Sequence, residues 1–376
     1  MKIISTLTIL LLIMILVVGC KSKAEPLTIP NAISLLQNSS SSDQFYSVTP
    51  NKQFDFPRDH GNHVNYSTEW WYFTGNLKTE ENRHFGYQLT FFRRGLPNNN
   101  EKRESKWATE NIYMGHFTLT DTTNNTFHQF EKFNRNSFNM AGSSDKHLDV
   151  WIDKWFVTTD SNNPLMLNVS AKESGISINF QLESDRDPVL QGDNGYSVKS
   201  RKENSASYYY SLPRMDTTGI ISISDKNYKV KGTTWLDREW TSKGLARNQE
   251  GWDWFGLHID KKIDIMFYQL RLESGDIDSS SSGIMINDDN HIQLNNNSVQ
   301  ITVTEHWKSS QTDIKYPSKW NISIPSEGLE LTIKPYISNQ ELTGIFKYWE
   351  GAVKIKGTIN ETPITGSGYV ELTGYQ

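Results

Sequence analysis

Short stretches of alternating apolar and polar residues recur along most of the chain. Residues 85–91, 175–180, 219–223 and 329–333 show this pattern most clearly. Alternation with a period of two is typical of β-strands that bury one face. Clusters of Asn, Asp, Ser and Gly separate the stretches, and no apolar stripe of helical period runs beyond about two turns. The pattern therefore predicts an all-β protein.

The predicted strands fall into two similar copies. Residues 70–77 resemble 252–259, and 86–89 resemble 267–270; residues 168–175 then match 321–328, and 230–237 match 364–371, in unchanged order. Each copy is long enough for a set of strands that closes as a barrel or folds as a sandwich, and too long for a propeller blade. We expect two β-barrels in tandem over residues 49–240 and 241–376, the first being larger, with a pair of sandwiches as the alternative.

The first 48 residues differ from the rest. Lys2 is followed by an apolar run, and residues 17–20 read Val-Val-Gly-Cys. This order predicts a lipoprotein signal peptide over residues 1–19 and lipidation of Cys20. An uncleaved anchor helix is the alternative, but the run is short for a membrane span. Residues 20–48 are predicted to be the lipidated Cys and a flexible linker that tethers the protein to the cell envelope, on the periplasmic side of the outer membrane in a Gram-negative host.

Composition excludes several classes of function. The 376 residues carry a net charge of −5 with no concentrated basic patch, so nucleic acid is not an expected partner. Cys20 is the only cysteine, which excludes a disulfide within the chain and thiol catalysis. There is no nucleophile elbow, phosphate loop or dinucleotide fingerprint. We predict no cofactor, and the sequence leaves the oligomeric state open.

Several motifs point to one family. Residues 56–63 read FPRDHGNH and 67–77 read STEWWYFTGNL; WLDREW follows at 235–240, GWDWFG at 251–256 and GYVELTGY at 368–375. The chain resembles the carotenoid 1,2-hydratase family, also described as AttH-like or as predicted secreted hydrolases. The resemblance implies two lipocalin-like barrels in tandem. For some relatives it implies hydration of a terminal carotenoid double bond, and others carry only the hydrolase label.

The Trp-rich blocks are candidates for ligand binding. Acid-catalysed addition of water to an alkene needs a proton donor, a water and stabilisation of a carbocation, and aromatic faces attract cations. They also line apolar pockets. The alternative is that these rings form barrel core. The candidate ligand-binding residues are Trp70, Trp71, Tyr72, Tyr87, Gln88, Trp252, Trp254, His258, Tyr268 and Gln269.

Acidic residues beside these aromatics are candidates for catalysis, because an apolar pocket raises the pKa of a carboxyl towards neutrality. Asp237 and Glu239 lie two apart and share one face of a strand. Glu69 adjoins Trp70, and Asp253 stands where the first copy has Trp71. The alternative for all four is ion pairing with arginines such as those at 93, 238 and 271, or a structural network at one end of a barrel.

Three histidines are the remaining catalytic candidates: His60, His63 and His116. The His-x-x-His spacing at 60–63 is weak support for zinc, since no predicted helix presents both rings on one face. We therefore expect them to assist acid–base chemistry or to form hydrogen bonds to loops, and we predict no metal.

Together these features predict an envelope-anchored enzyme that adds water, with acid assistance, to an apolar isoprenoid or lipid-like substrate. Two other functions remain open: a non-catalytic carrier of apolar ligands, because lipocalin-like barrels hold small molecules, and a secreted hydrolase.

Overall fold

The computed structural model describes residues 44–97, 105, 107–184, 186–260, 262–287 and 290–376. The predicted signal peptide, Cys20 and most of the linker lie outside the described residues. Within these ranges nearly all regular structure is β-strand, as predicted. Three short 3-10 helices, Arg58–His60, Ser137–Asn139 and Pro325–Glu327, interrupt the strands. The described part of the chain contains no helix that is both long and apolar enough to cross a membrane.

The strands form two antiparallel sheets. The first contains β1 (Thr68–Lys78), β2 (His84–Gly95), β3 (Asn111–Asp121), β4 (Thr126–Arg135), β5 (Ala141–Ser143), β6 (Asp149–Ile152), β7 (Trp155–Thr159), β8 (Met166–Glu173), β9 (Ile176–Glu183), β10 (Val189–Leu190), β11 (Tyr196–Ser200), β12 (Ser205–Ile223) and β13 (Lys226–Lys243). The second contains β14 (Gln249–Ile259), β15 (Ile263–Leu272), β16 (Ser282–Asn287), β17 (Asn290–Asn295), β18 (Gln300–Lys308), β19 (Lys315–Ile324), β20 (Leu329–Pro335), β21 (Glu341–Thr343), β22 (Lys347–Ile359) and β23 (Thr362–Leu372).

The two sheets share one strand order. The first runs β4-β3-β2-β1-β13-β12-β9-β8-β7-β6-β5, and the second runs β17-β16-β15-β14-β23-β22-β20-β19-β18. The first curls into a nearly closed barrel and the second into a half-barrel, matching the architecture of lipocalin-like proteins. Strands β1, β8 and β13 thus correspond to β14, β19 and β23, which explains three of the four sequence matches.

The fourth sequence match, between residues 86–89 and 267–270, is out of register. Strand β1 pairs Trp71 with Phe91, whereas β14 pairs Asp253 with Gln269. Gln269 therefore corresponds to Phe91, three residues beyond the position that the letters suggest. The mismatch has a consequence because a shift of one residue along a strand exchanges its two faces.

The alternation along each strand divides its side chains between two cores. In β1, Trp71 and Phe73 point into the first barrel. In β14, Phe255 and Leu257 point into the core of the second sheet. Burial of these apolar faces away from water supplies the main stabilisation of each sheet.

A third apolar cluster lies where the outer faces of the two sheets meet. Tyr72 and Trp235 of the first sheet pack there with Trp254, Tyr268 and Tyr369 of the second. We call this region the seam. Strands β13, β1, β2 and β3 form one side of it, and β15, β14, β23 and β22 form the other.

Candidate functional site

Three carboxyl groups of the seam, each without an ion-pair partner among the described residues, share a predominantly aromatic setting. Asp237 lies on β13, Glu371 on β23 and Glu350 on β22. Asp237 and Glu350 are buried, whereas Glu371 keeps a partly exposed side chain. None of the three belongs to an ion pair found among the described residues. Buried carboxyls without a cation favour the protonated form.

Asp237 is held by three hydrogen-bond donors. The Tyr209 hydroxyl donates to Oδ2 at 2.5 Å, and Ser211 Oγ donates to Oδ1 at 2.5 Å. Trp235 Nε1 donates to Oδ1 at 2.7 Å. Burial nevertheless raises the pKa of Asp237 to about 7, because it outweighs these bonds and is reinforced by the charge of Glu239. Such a carboxyl can donate a proton near neutral pH.

Glu371 faces the seam from the second sheet. Trp252 Nε1 donates to its Oε2 at 3.0 Å. Burial, together with the charges of Asp237 and Glu239, raises the pKa of Glu371 to about 7. Because the charge of Asp237 raises the pKa of Glu371, one of these carboxyls favours the neutral state when the other is ionised. Two such groups can act as an acid and a base.

Aromatic rings surround this pair. Tyr72 and Trp254 meet edge-to-face with centroids 5.1 Å apart, and Trp235 and Trp254 do so at 6.0 Å. Trp254 Nε1 also donates to the Tyr209 hydroxyl at 3.1 Å. Trp70, like Glu371 and its partner Trp252, is only half-buried. These half-buried residues therefore form the solvent-facing edge of the seam. The rings of the seam can stabilise a cation.

Glu239 shares the face of Asp237, as its spacing predicts, but has a different partner. Lys199 Nζ lies 3.0 Å from Glu239 Oε1 and 4.1 Å from the centroid of the Tyr268 ring. Burial of Lys199 opposes its charge, but the charges of Glu239 and Tyr268 outweigh this and raise its pKa. Glu239 thus forms an ion pair with Lys199.

Glu350 and His116 lie at the other end of the seam. The Tyr72 hydroxyl donates to Glu350 Oε1 at 2.6 Å. Burial holds the pKa of Glu350 well above its usual range, and the charge of Glu371 adds to the effect. His116 lies 2.6 Å from the Tyr348 hydroxyl and 3.1 Å from Glu131. Tyr72, which donates to Glu350, and His116 lie in one line across β1, β2 and β3, because Tyr72 pairs with Thr90 and Thr90 pairs with His116.

A second polar network lies at one end of the first barrel, away from the carboxyl groups of the seam. Glu69 is fully buried, and both Arg93 and Arg238 donate to it. Burial opposes ionisation of Glu69, but the two arginines and the His63 side chain outweigh it and hold its pKa well below the usual range. His63 also stacks on Trp240 at 3.7 Å. This is the ion-pair alternative for Glu69.

His60 belongs to the same end of the barrel. Its Nδ1 lies 2.6 Å from the Tyr210 hydroxyl. Burial and the charge of Arg238 lower the pKa of His60 to about 4. The structure therefore brings His60, His63 and Glu69 together, but not with Asp237.

Asp253 points into the second sheet, opposite to Trp252 and Trp254. Arg271 Nε donates to it at 2.9 Å, and the Tyr375 hydroxyl donates at 3.0 Å. Burial raises the pKa of Asp253, although these two partners oppose the change. Asp253 is thus the ion-pair partner of Arg271, one of the alternatives considered for it.

The predicted ligand-binding residues divide in the same way. Those that face the seam are Trp70, Tyr72, Gln88, Trp252, Trp254, His258 and Tyr268. Those that face the interior of a sheet are Trp71, Tyr87 and Gln269. Tyr87 and Tyr268 are equivalent in the sequence match but lie on opposite faces of their sheets, because the register of the two strands differs.

The residues that sequence reasoning did not nominate are Glu350, Glu371, Tyr209, Tyr348, Ser211, Lys199 and Glu131. The sequence contained a signal for Glu371, because the repeat aligns it with Asp237, and both residues face the seam. The others gave none. They lie on β4, β11, β12 and β22 and approach the site only through tertiary packing.

The fold and the site define a lipocalin-like protein of two sheets with a row of carboxyls between their outer faces. The chain belongs to the AttH-like family, whose model matches residues 47–375. The crystal structure of an AttH protein from Nitrosomonas europaea superposes with a TM-score of 0.79 at 30% identity, covering 88% of this chain and 99% of that one.

Two fungal proteins are more distant relatives. The dehydratase asqC of Emericella nidulans is 24% identical over 64% of this chain and 71% of its own. Kievitone hydratase of Fusarium solani subsp. phaseoli is 25% identical over 62% of this chain and 74% of its own. The solved kievitone hydratase of Nectria haematococca has a TM-score of 0.68 at 17% identity, over 88% of this chain and 96% of that chain, and thus shares the fold.

Proposed function

We propose that this protein is a hydratase or dehydratase that adds water to, or removes it from, an unsaturated apolar substrate held in the seam. The observation that carries the proposal is the pair Asp237 and Glu371, which face the seam from opposite sheets with pKa values raised to about 7. The names of two relatives, a hydratase and a dehydratase, support the same reaction class.

The proposed reaction uses one carboxyl as acid and the other as base. Asp237 gives its proton to one alkene carbon, and the π electrons form the new C–H bond. The other carbon becomes cationic beside the rings of Tyr72 and Trp254, which stabilise it. Water then bonds to this carbon and loses a proton to the carboxylate of Glu371. Dehydration is the same sequence in reverse, and each direction leaves the pair to exchange one proton before the next turnover.

The surroundings suit an apolar substrate with few polar groups. The walls of the seam are rings and aliphatic side chains, including Met266, Leu270 and Ile284. Closure of such walls excludes water and strengthens the interaction between the developing cation and the protein. The isoprenoid or lipid-like substrate and the attachment of Cys20 to the envelope remain part of the proposal, the latter supported by the order of residues 2–20.

The proposal is tested by looking for hydration directly. Ligands that co-purify with the protein are identified by mass spectrometry, and they and a panel of isoprenoid alkenes are incubated in water labelled with oxygen-18. We expect a product that carries one labelled oxygen. The variants Asp237→Asn and Glu371→Gln should lose the product while keeping the circular dichroism spectrum of the wild type.

Two results would count against the proposal, the first against the activity and the second against the role of the carboxyl pair. Recovery of a bound ligand that no incubation changes favours the carrier instead. Formation of labelled product at wild-type rates by both variants would mean that the carboxyl pair does not carry the reaction.

A further inference from the structure

A chain of hydrogen bonds leads from the protein surface to the seam. Glu131 Oε2 lies 3.1 Å from His116 Nε2, and His116 Nδ1 lies 2.6 Å from the Tyr348 hydroxyl. Gln88 Nε2 donates to the same hydroxyl at 3.4 Å. The chain starts on β4, passes β3 and reaches β22, so it crosses from the first sheet to the second.

The outer end of this chain opens into a surface pocket of about 240 Å³, lined by Gln129, Phe130, Glu131, Leu342, Thr343 and Gly344. The backbone N–H of Ile345 donates to Glu131 Oε1 at 3.1 Å. A Cβ at Gly344 would lie 2.8 Å from Glu131 Oε2, so a glycine leaves room for the carboxylate. Burial opposes its ionisation, but the bonds from His116 and Ile345 outweigh this and lower the pKa of Glu131. It is therefore a carboxylate at the boundary between protein and solvent.

The inner end contains two polar atoms that lack a partner. Glu350 Oε2 and Gln88 Oε1 are buried and have no hydrogen-bond partner among the described residues. Gln88 contacts the Tyr348 hydroxyl, and Glu350 lies two residues from Tyr348 on the same face of β22. Unpartnered buried polar atoms beside a hydroxyl are typical of a place that holds a water molecule.

We propose that Glu131, His116 and Tyr348 form a proton route between Glu350 and the surface pocket. Glu350 gives its proton to a water beside Tyr348. The Tyr348 oxygen takes a proton from that water and releases its own to His116 Nδ1, and the imidazole releases its Nε2 proton to Glu131. Glu131 loses a proton to water in the pocket.

This sequence moves one proton outward and leaves the negative charge on Glu350. No group is oxidised or reduced, and the reverse sequence restores the neutral carboxyl. The route stands on the geometry of the hydrogen bonds. Its use in resetting the carboxyl pair Asp237 and Glu371 between turnovers rests on the proposed function.

The route is tested without a substrate, by infrared spectroscopy of the full chain after transfer from H₂O to D₂O. The carbonyl stretch of protonated Glu350 is assigned by its loss in Glu350→Gln, and its shift reports exchange of the carboxyl proton. We expect both Tyr348→Phe and His116→Phe to slow this shift by at least about tenfold, because each removes a proton carrier. His84→Phe is the matched control: His84 is also buried at the seam, stacks on Tyr336 at 3.9 Å and lies outside the route.

Equal exchange rates in the wild type and both variants would overturn the route, as would equal slowing by His84→Phe. If the buried variants do not fold, Glu131→Gln at the surface end makes the same measurement, and an unchanged rate there would overturn the route too. If Tyr348→Phe and His116→Phe lose hydratase turnover but exchange the Glu350 proton at the wild-type rate, the route is contradicted and the proposed function is not. Slowed exchange in a protein that hydrates nothing would support the route and contradict the proposed function.

Discussion

Replacement of Asp237 by Asn should change how the stability of the protein depends on pH. The pKa of Asp237 is raised from 3.8 to about 7 in the folded state. At pH values between these two, the folded protein therefore keeps a proton on Asp237 that the unfolded chain has lost. The free energy of unfolding must fall as pH rises through this window, and the contribution of Asp237 is complete below it and absent above it.

The size of the effect follows from the pKa difference. Each pH unit is worth about 1.4 kcal/mol, so the change of about three units corresponds to about 4 kcal/mol of unfolding free energy. Asp237 is only 3% exposed, so solvent screens this contribution little. Asn keeps the shape of the side chain but does not titrate. The unfolding free energy of the variant should not fall by this amount, so the variant should become more stable relative to the wild type as pH increases from about 4 to about 8.

The assay is equilibrium unfolding in denaturant, followed by tryptophan fluorescence, at a series of pH values across this range. Asp216→Asn is the control, because Asp216 is an exposed carboxylate on β12, the strand that also carries Tyr209. We expect the control to follow the wild-type curve. Identical slopes for the wild type and Asp237→Asn would refute the reasoning, since they would show that Asp237 is ionised in the folded protein throughout.

Four further predictions concern single residues. Glu371→Gln should lower turnover by at least about 10²-fold, the usual contribution of a general base; wild-type turnover would exclude Glu371 as the base. Asp253→Asn should cost about 1–3 kcal/mol of stability, because it removes the anionic partner of Arg271 and leaves that guanidinium only neutral acceptors such as the Thr373 carbonyl, and should keep turnover; a large loss of turnover at unchanged stability would restore Asp253 as a catalytic group. Glu69→Gln should cost about 3–5 kcal/mol in denaturant unfolding, as expected when a fully buried ion pair is broken, and a loss below about 1 kcal/mol would show that its network is not structural. Cys20→Ala should abolish labelling by a fatty-acid probe in cells, and persistent labelling would exclude this lipid anchor.

The family assignment also followed from local signals in the sequence. The His-to-Trp-Trp block at residues 56–77 and the WLDREW segment stand in the part of the chain that the AttH-like family model matches. Such motifs are visible because their members are contiguous. The same blocks contain residues of the seam, such as Tyr72 and Asp237, and residues of the barrel end, such as Glu69 and Arg238. Proximity to the motif alone did not separate the two groups.

The sequence by itself determined that the chain folds into strands and that two copies of one strand order follow each other. Alternation with a period of two specifies which residues share a face, so it correctly placed Asp237 and Glu239 side by side. It also contained the correspondence between Asp237 and Glu371. What alternation cannot specify is which of the two faces meets another sheet and which fills a barrel, because both are apolar.

Only the tertiary structure decided that question. The outer face of β1 is covered by the second sheet, so Tyr72 reaches Glu350 across 278 residues of sequence, whereas Trp71 beside it fills the first barrel. Strand pairing within the second sheet gives Asp253 an arginine partner, whereas the seam offers Asp237 none among the described residues. Burial and the presence or absence of a nearby cation set the pKa of a carboxyl. For Asp237 and Glu350 both depend on residues that are distant in sequence, and for this reason the row of carboxyls in the seam emerges only when the two sheets are packed together.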